Sequence, residues 1–188
     1  MQRNAERTHA ELLDAAVRVA ERGDEPTMRA VAAEAGVGER TIYRYFENRE
    51  VLHDAFTAHV SPRLGTPLCD SVDGLDQYIV DLFDVFEQNR ELTVAVVTSP
   101  WSQPDLSRSR TGNLRALTAL LRAAFPNVDG AALGAAAASL RTAVSGAGWV
   151  YQRQSCALPA DAVTDNARWL LHTVLDHLGA LERAHETS

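Results

Sequence analysis

The chain has 188 residues, of which 46% are hydrophobic and 23% charged; this is enough apolar material for one substantial domain, or for a small and a medium one, and it argues against disorder. The formal net charge of −7 weakens any long-range pull on a polyanion, so nucleic-acid binding must depend on where the cations sit. All 18 basic residues are Arg, a side chain that keeps its charge and offers a planar fork to phosphate or to a guanine edge.

Nearly every segment reads as helix, and none alternates with period two. Over residues 4–22, Leu12, Leu13, Ala16, Val19 and Ala20 recur at three- and four-residue spacing and share one face. Gly23 suits a left-handed helix end, Asp24-Glu25-Pro26 a turn, and Thr27 the cap of a second, short helix over 28–35. Gly36-Val37-Gly38 interrupts it, and a third short helix follows from 39 to 45 or 46, with Ile42 and Phe46 one turn apart on its inner side. Asn48 caps a fourth helix carrying Val51, Leu52, Ala55, Phe56 and Val60, which Ser61-Pro62 stops or kinks. Residues 63–72 lack periodicity and mark a boundary. Beyond them, helices are predicted over 73–89, 91–98, 106–125, 129–154 and 159–184. The expected fold class is all-α. Its organisation is a helix-turn-helix domain over 1–47, a connecting helix over 48–62, and a helical domain over 63–188.

Two short helices joined by a tight glycine-containing turn and braced by longer helices form the arrangement of a DNA-binding helix-turn-helix. A short third helix enters a major groove while Ile42 and Phe46 stay anchored in the core. Gly36 permits the positive φ of the turn, and Gly38 is a weaker cap than Ser or Thr. The outer face then carries Glu39, Arg40, Thr41, Tyr43, Arg44 and Tyr45. The arginines suit guanine or phosphate, the hydroxyls suit phosphate, and Glu39 suits a cytosine amino group or the orientation of Arg40. Thr27 with the start of the second helix, and Arg49 with the start of the fourth, are further candidates for phosphate. Within 39–49 there are three Arg against two Glu, so the local charge is positive.

Several runs carry a family likeness: Leu13-Asp14-Ala15-Ala16, Ala20-Glu21-Arg22-Gly23, Thr27-Met28-Arg29-Ala30-Val31-Ala32, Ala35-Gly36-Val37-Gly38, Thr41-Ile42-Tyr43-Arg44-Tyr45-Phe46 and Asn48-Arg49-Glu50-Val51-Leu52. Residues 7–56 resemble the TetR family of bacterial transcriptional regulators. Gly38, where that family usually has Ser or Thr, and Arg49, where Lys is usual, depart from its pattern. The resemblance implies an all-α homodimer whose C-terminal domain binds a small effector and whose fourth helix links effector site to DNA. It implies that Thr41, Tyr43 and Arg49 hold the DNA backbone, while Glu39, Arg40, Arg44 and Tyr45 face base edges or nearby phosphates of a palindromic double-stranded operator. The protein expected is a repressor released by its effector; a ligand-responsive activator and a ligand-binding scaffold without DNA activity are the alternatives.

The last two long helices are the candidate dimer surface. Residues 131–148 are mostly Ala, Gly and Ser, which lets backbones approach, and the last helix offers Val163, Leu170, Leu171, Val174, Leu175, Leu178 and Leu181. Phe83, Phe86, Trp101 and Trp149 are the candidate effector-lining residues, with a largely apolar or weakly polar ligand expected. Cys69 and Cys156 and the six histidines lack metal-ligand spacing, and no nucleophile elbow, phosphate loop or carboxylate pair is present. Neither catalysis, a metal nor a cofactor is therefore expected. No apolar run approaches the roughly 20 residues that span a bilayer and no signal-peptide core is present, so the expected location is cytoplasmic.

Overall fold

Apolar positions three and four residues apart leave a helix one buried face, and the chain satisfies that demand with helices throughout. The computed structural model describes residues 2–99 and 103–186, and no strand occurs among them. The helices are α1 (Gln2–Glu21), α2 (Met28–Glu34), α3 (Glu39–Tyr45), α4 (Arg49–Leu64), α5 (Leu75–Gln88), α6 (Arg90–Thr98), α7 (Gln103–Ala124), α8 (Gly130–Ala143), α9 (Gly146–Val150) and α10 (Ala160–Glu186). A short 3₁₀ turn, Val72–Gly74, precedes α5, and a π-helical turn, Tyr151–Ser155, extends α9.

The chain folds as two units: one takes the chain up to Gly65 together with the stretch from Asn89 to Asp105, and the other takes Thr66–Gln88 and the chain from Leu106 onward. In the first unit, Leu12, Ala15 and Ala16 of α1, Val31 of α2, Ile42 of α3, Phe46, and Leu52 and Phe56 of α4 are almost completely buried in one core. Leu92 of α6 is buried in the same core, with Ala95 and Val96 packed against it. The sequence reading assigned this short helix to the C-terminal domain; its apolar face instead closes over α1. In the second unit, α10 packs on α5 and α8, burying Ile79, Phe83, Leu121, Leu133, Leu140, Trp149, Val163 and Leu171.

Two expected helix limits change. Pro62 lies inside α4, which runs on to Leu64. A proline removes one amide, and so near the helix end it costs a single intrahelical bond. The segment expected as one helix over 129–154 is broken after Ala143. Val144 leaves helical geometry at φ −92°, ψ 67°, and Ser145 turns extended and caps α9, accepting from the Gly148 amide at 3.0 Å. At Gly148 a Cβ would lie 2.7 Å from the Ala143 carbonyl oxygen and closer still to that of Thr142. Only a residue without Cβ lets the two pieces fold back this tightly.

Candidate nucleic-acid interface

The turn that presents α3 is built by local chemistry. Thr27 caps α2, its Oγ1 accepting from the Ala30 amide at 3.1 Å. Gly36 adopts φ +67°, a left-handed conformation that a side chain makes costly, and the Val37 amide reaches back to the Ala32 carbonyl at 2.9 Å. Gly38 caps α3 with no side-chain bond. Asn48 caps α4 through Oδ1, which accepts from the Val51 amide at 2.9 Å.

Ile42 and Phe46 are completely buried, which fixes the roll of α3 and turns Glu39, Arg40, Tyr43 and Arg44 to the outside. Tyr43 is 54% exposed, unusual for so large a ring. Thr41 and Tyr45 are only partly exposed and flank this face. Arg40 takes part in no hydrogen bond or ion pair among the described residues. The other cations are engaged to different degrees. Arg29 is 3.9 Å from Glu39, with both side chains well exposed, a weak attraction in water. Arg44 lies over the Tyr45 ring at 5.2 Å. Arg49 is ion-paired to Glu25.

Of the residues singled out in the sequence, Glu39, Arg40, Tyr43 and Arg44 thus share one open surface, with Thr41 and Tyr45 at its side. Thr27 and Arg49 stand at the starts of α2 and α4. Sequence reasoning missed Glu25, 24 residues before Arg49, because nothing in the pattern pairs them. It also missed the part that α1 plays here, its His9 ring packing 5.0 Å from Phe46 and 6.4 Å from Tyr45. Elsewhere in the unit, Glu34 accepts from Arg18 and Arg22, each at 2.7 Å, and these two guanidiniums hold its carboxyl below the usual glutamate range, Arg22 more strongly. That triad locks α2 onto α1.

Residues 12–56 match the family model for bacterial regulatory proteins of the tetR family. Over this stretch, about a quarter of the chain, the sequence is similar to TetR-family regulators. Among the relatives, an HTH-type transcriptional regulator of Mycobacterium tuberculosis, described as uncharacterized, is 28% identical over 122 residues in strain CDC 1551 / Oshkosh and equally so in strain ATCC 25618 / H37Rv. The match takes in 62% of this chain and spans 60% of the relatives' length. A TetR-like transcriptional regulator from Rhodococcus sp. RHA1 shares the fold with a TM-score of 0.68 and 20% identity, over 89% of this chain and 94% of that one.

In the second unit the aromatic residues expected to line an effector cavity are packed against one another. Phe83 and Phe86 have ring centroids 6.0 Å apart, Phe86 and Trp149 5.9 Å, and all three are buried. Trp101 lies outside the described residues. The second unit does contain an apolar cleft, lined by Leu68, Leu75, Tyr78, Ile79, Asn113, Leu117, Leu140, Arg141, Val144 and Leu171. Its interior volume is about 30 Å³. None of Phe83, Phe86 and Trp149 lines it. Burial pushes the Tyr78 phenol above its ordinary range, with Arg141 nearby opposing the shift.

Proposed function

We propose that this chain is a DNA-binding transcriptional regulator that works in the cytoplasm as a homodimer, a repressor released from a palindromic operator by a small molecule. The observation that carries the DNA reading is the open face of α3. Arg40, Tyr43 and Arg44 project together from a helix whose opposite side is anchored by the fully buried Ile42 and Phe46. Two arginines and a half-exposed tyrosine on one short helix suit a groove lined with phosphates and base edges.

Homodimerisation through α8 and α10 is supported by what these helices leave uncovered. Ala131, Ala135, Ala138 and Thr142 form an exposed stripe of small side chains along α8. On α10, Leu170, Val174 and Leu181 share a face and are only half-buried, with Trp169 beside them 64% exposed. Effector control is supported by the apolar cleft of the second unit. Its walls carry one cation, Arg141, and no carboxylate, which suits a slender apolar molecule that is neutral or negatively charged. The interior holds about two waters as it stands, so binding must widen the cleft, and that movement is the differential interaction by which a ligand shifts DNA affinity.

The test is a gel-shift titration with duplex DNA from the promoter beside the chain's own gene. Wild type binds and is weakened by added salt; the double variant Tyr43→Ala, Arg44→Ala stays folded by circular dichroism and loses binding. Unchanged retardation by the double variant would remove α3 from the interface.

A further inference from the structure

Tyr45 belongs by sequence to the set of candidate DNA contacts, yet its surroundings give it a different task. Ile42 and Phe46 set the roll of α3, and Tyr45 falls on the flank of the exposed face, half-buried. Its ring has neighbours on two helices. The Arg44 guanidinium carbon lies 5.2 Å from the ring centroid, within the range of a cation–π contact, and Arg44 Nη2 donates a long hydrogen bond of 3.5 Å to the Tyr45 hydroxyl. The other neighbours belong to α1. The His9 ring stands 6.4 Å from the Tyr45 ring and 5.0 Å from that of Phe46. The Thr8 side chain also hydrogen-bonds the same phenol, and Arg44 first and then Thr8 hold it below the usual tyrosine range.

We propose that Tyr45 is the positioning residue for Arg44, holding its guanidinium for bidentate reading of one guanine in each half-site, and that His9 and Thr8 of α1 hold Tyr45. This rests on the reading of α3 as the groove helix. An exposed arginine samples many rotamers and loses that freedom on binding; stacking on a fixed ring removes part of the loss before DNA arrives. The guanidinium has five donors in a planar fork. A long bond to Tyr45 occupies one, and the free edge matches the O6 and N7 acceptors of guanine. Arg40 lacks any such support, and Arg49 is committed to Glu25, which leaves Arg44 as the preorganised cation on this face.

The experiment selects sites for the full-length wild-type chain from a random duplex pool. It then compares binding to the best site with binding to copies in which single guanines are replaced by 7-deazaguanine, which lacks the N7 acceptor. Wild type is expected to lose about tenfold or more at one guanine per half-site. Arg44→Ala shows no penalty there, Tyr45→Ala loses most of the discrimination, and Tyr45→Phe, which keeps the ring, retains most of it. His9→Ala, which changes no residue of α3 itself, lowers the discrimination in the same direction as Tyr45→Ala. Each comparison is a ratio within one variant, so a loss of folded protein does not mimic the effect. If wild type selects no sequence from the pool, the DNA-binding reading itself fails. If it selects a site but Tyr45→Ala weakens native and 7-deaza duplexes equally, with the ratio unchanged, Tyr45 is an ordinary contact or a structural residue and the proposal is overturned.

Discussion

Arg49 would be counted as a phosphate contact by its position at the start of α4, yet Glu25 already neutralises it. A phosphate must displace that carboxylate, and a carboxylate near the duplex also repels it. Glu25→Gln is therefore expected to tighten DNA binding severalfold and to steepen the dependence of log Kd on log salt by about one unit, as one more cation becomes available. Affinities measured at four or five salt concentrations decide this; a parallel, unshifted line would mean Arg49 never meets the backbone. The same face shows that charge alone is a poor guide to role. Arg29, Arg40, Arg44 and Arg49 are all exposed, but opposite a weak carboxylate contact, no partner among the described residues, a tyrosine ring and a committed carboxylate they have four different capacities to bind.

At the scale of elements, the break between α8 and α9 depends on one glycine. Gly148→Ala places a Cβ against two backbone oxygens, those of Thr142 and Ala143, which cannot swing aside as a side chain would. A loss of about 1–3 kcal/mol is expected, read from urea unfolding of the full chain; unaltered stability would show that the turn relaxes freely. The joint between α5 and α10 behaves differently because it is ionic. Arg168 donates to both Asp76 oxygens at 2.6–3.1 Å, and His172 meets the same carboxylate at 2.9 Å. Arg168 foremost holds the Asp76 carboxyl below the usual aspartate range. A carboxylate with a lowered folded-state pKa contributes stability above its unfolded value and loses it as pH falls through the lowered one. Asp76→Asn is thus expected to cost about 1 kcal/mol or less at neutral pH, since both side chains are more than a third exposed and screened by water. The gap to wild type should close only in acid below the usual aspartate range. Thermal melts across pH test this, and a gap that persists in acid would point to packing instead of charge.

For the whole molecule the net charge of −7 means that an approaching duplex feels repulsion until the α3 face is close. Binding by a pair of such faces, about 34 Å apart to meet successive major grooves, offsets that repulsion in a way one face does not. Trp169→Glu puts a charge into the proposed α10 contact. Sedimentation should show wild type at twice the 20.5 kDa chain mass and the variant shifted toward a single chain, with operator affinity falling alongside. A wild type that sediments as a single chain at the concentrations that bind DNA would exclude the paired reading.

The two short helices, their glycine turn, the caps Thr27 and Asn48 and the inward Ile42 and Phe46 could be read from the sequence because each is encoded within a few residues. Spacing of three and four sets a helix face, a cap needs only the amides three residues on, and Gly36 alone meets a φ of +67°. The family likeness in the same residues added the rest of the expectation. Other features depended on residues distant in sequence, which periodicity does not register. Glu25 reaches Arg49, and His9 reaches Tyr45. Leu92 joins the N-terminal core, and Phe83, Phe86 and Trp149 stack on each other while Tyr78 and Arg141 border a cleft. Local pattern determined which helices form and which face each one buries. Tertiary packing decided which charges are free and which aromatic rings are core, because a side chain's role depends on its neighbours in space, and those come from anywhere along the chain.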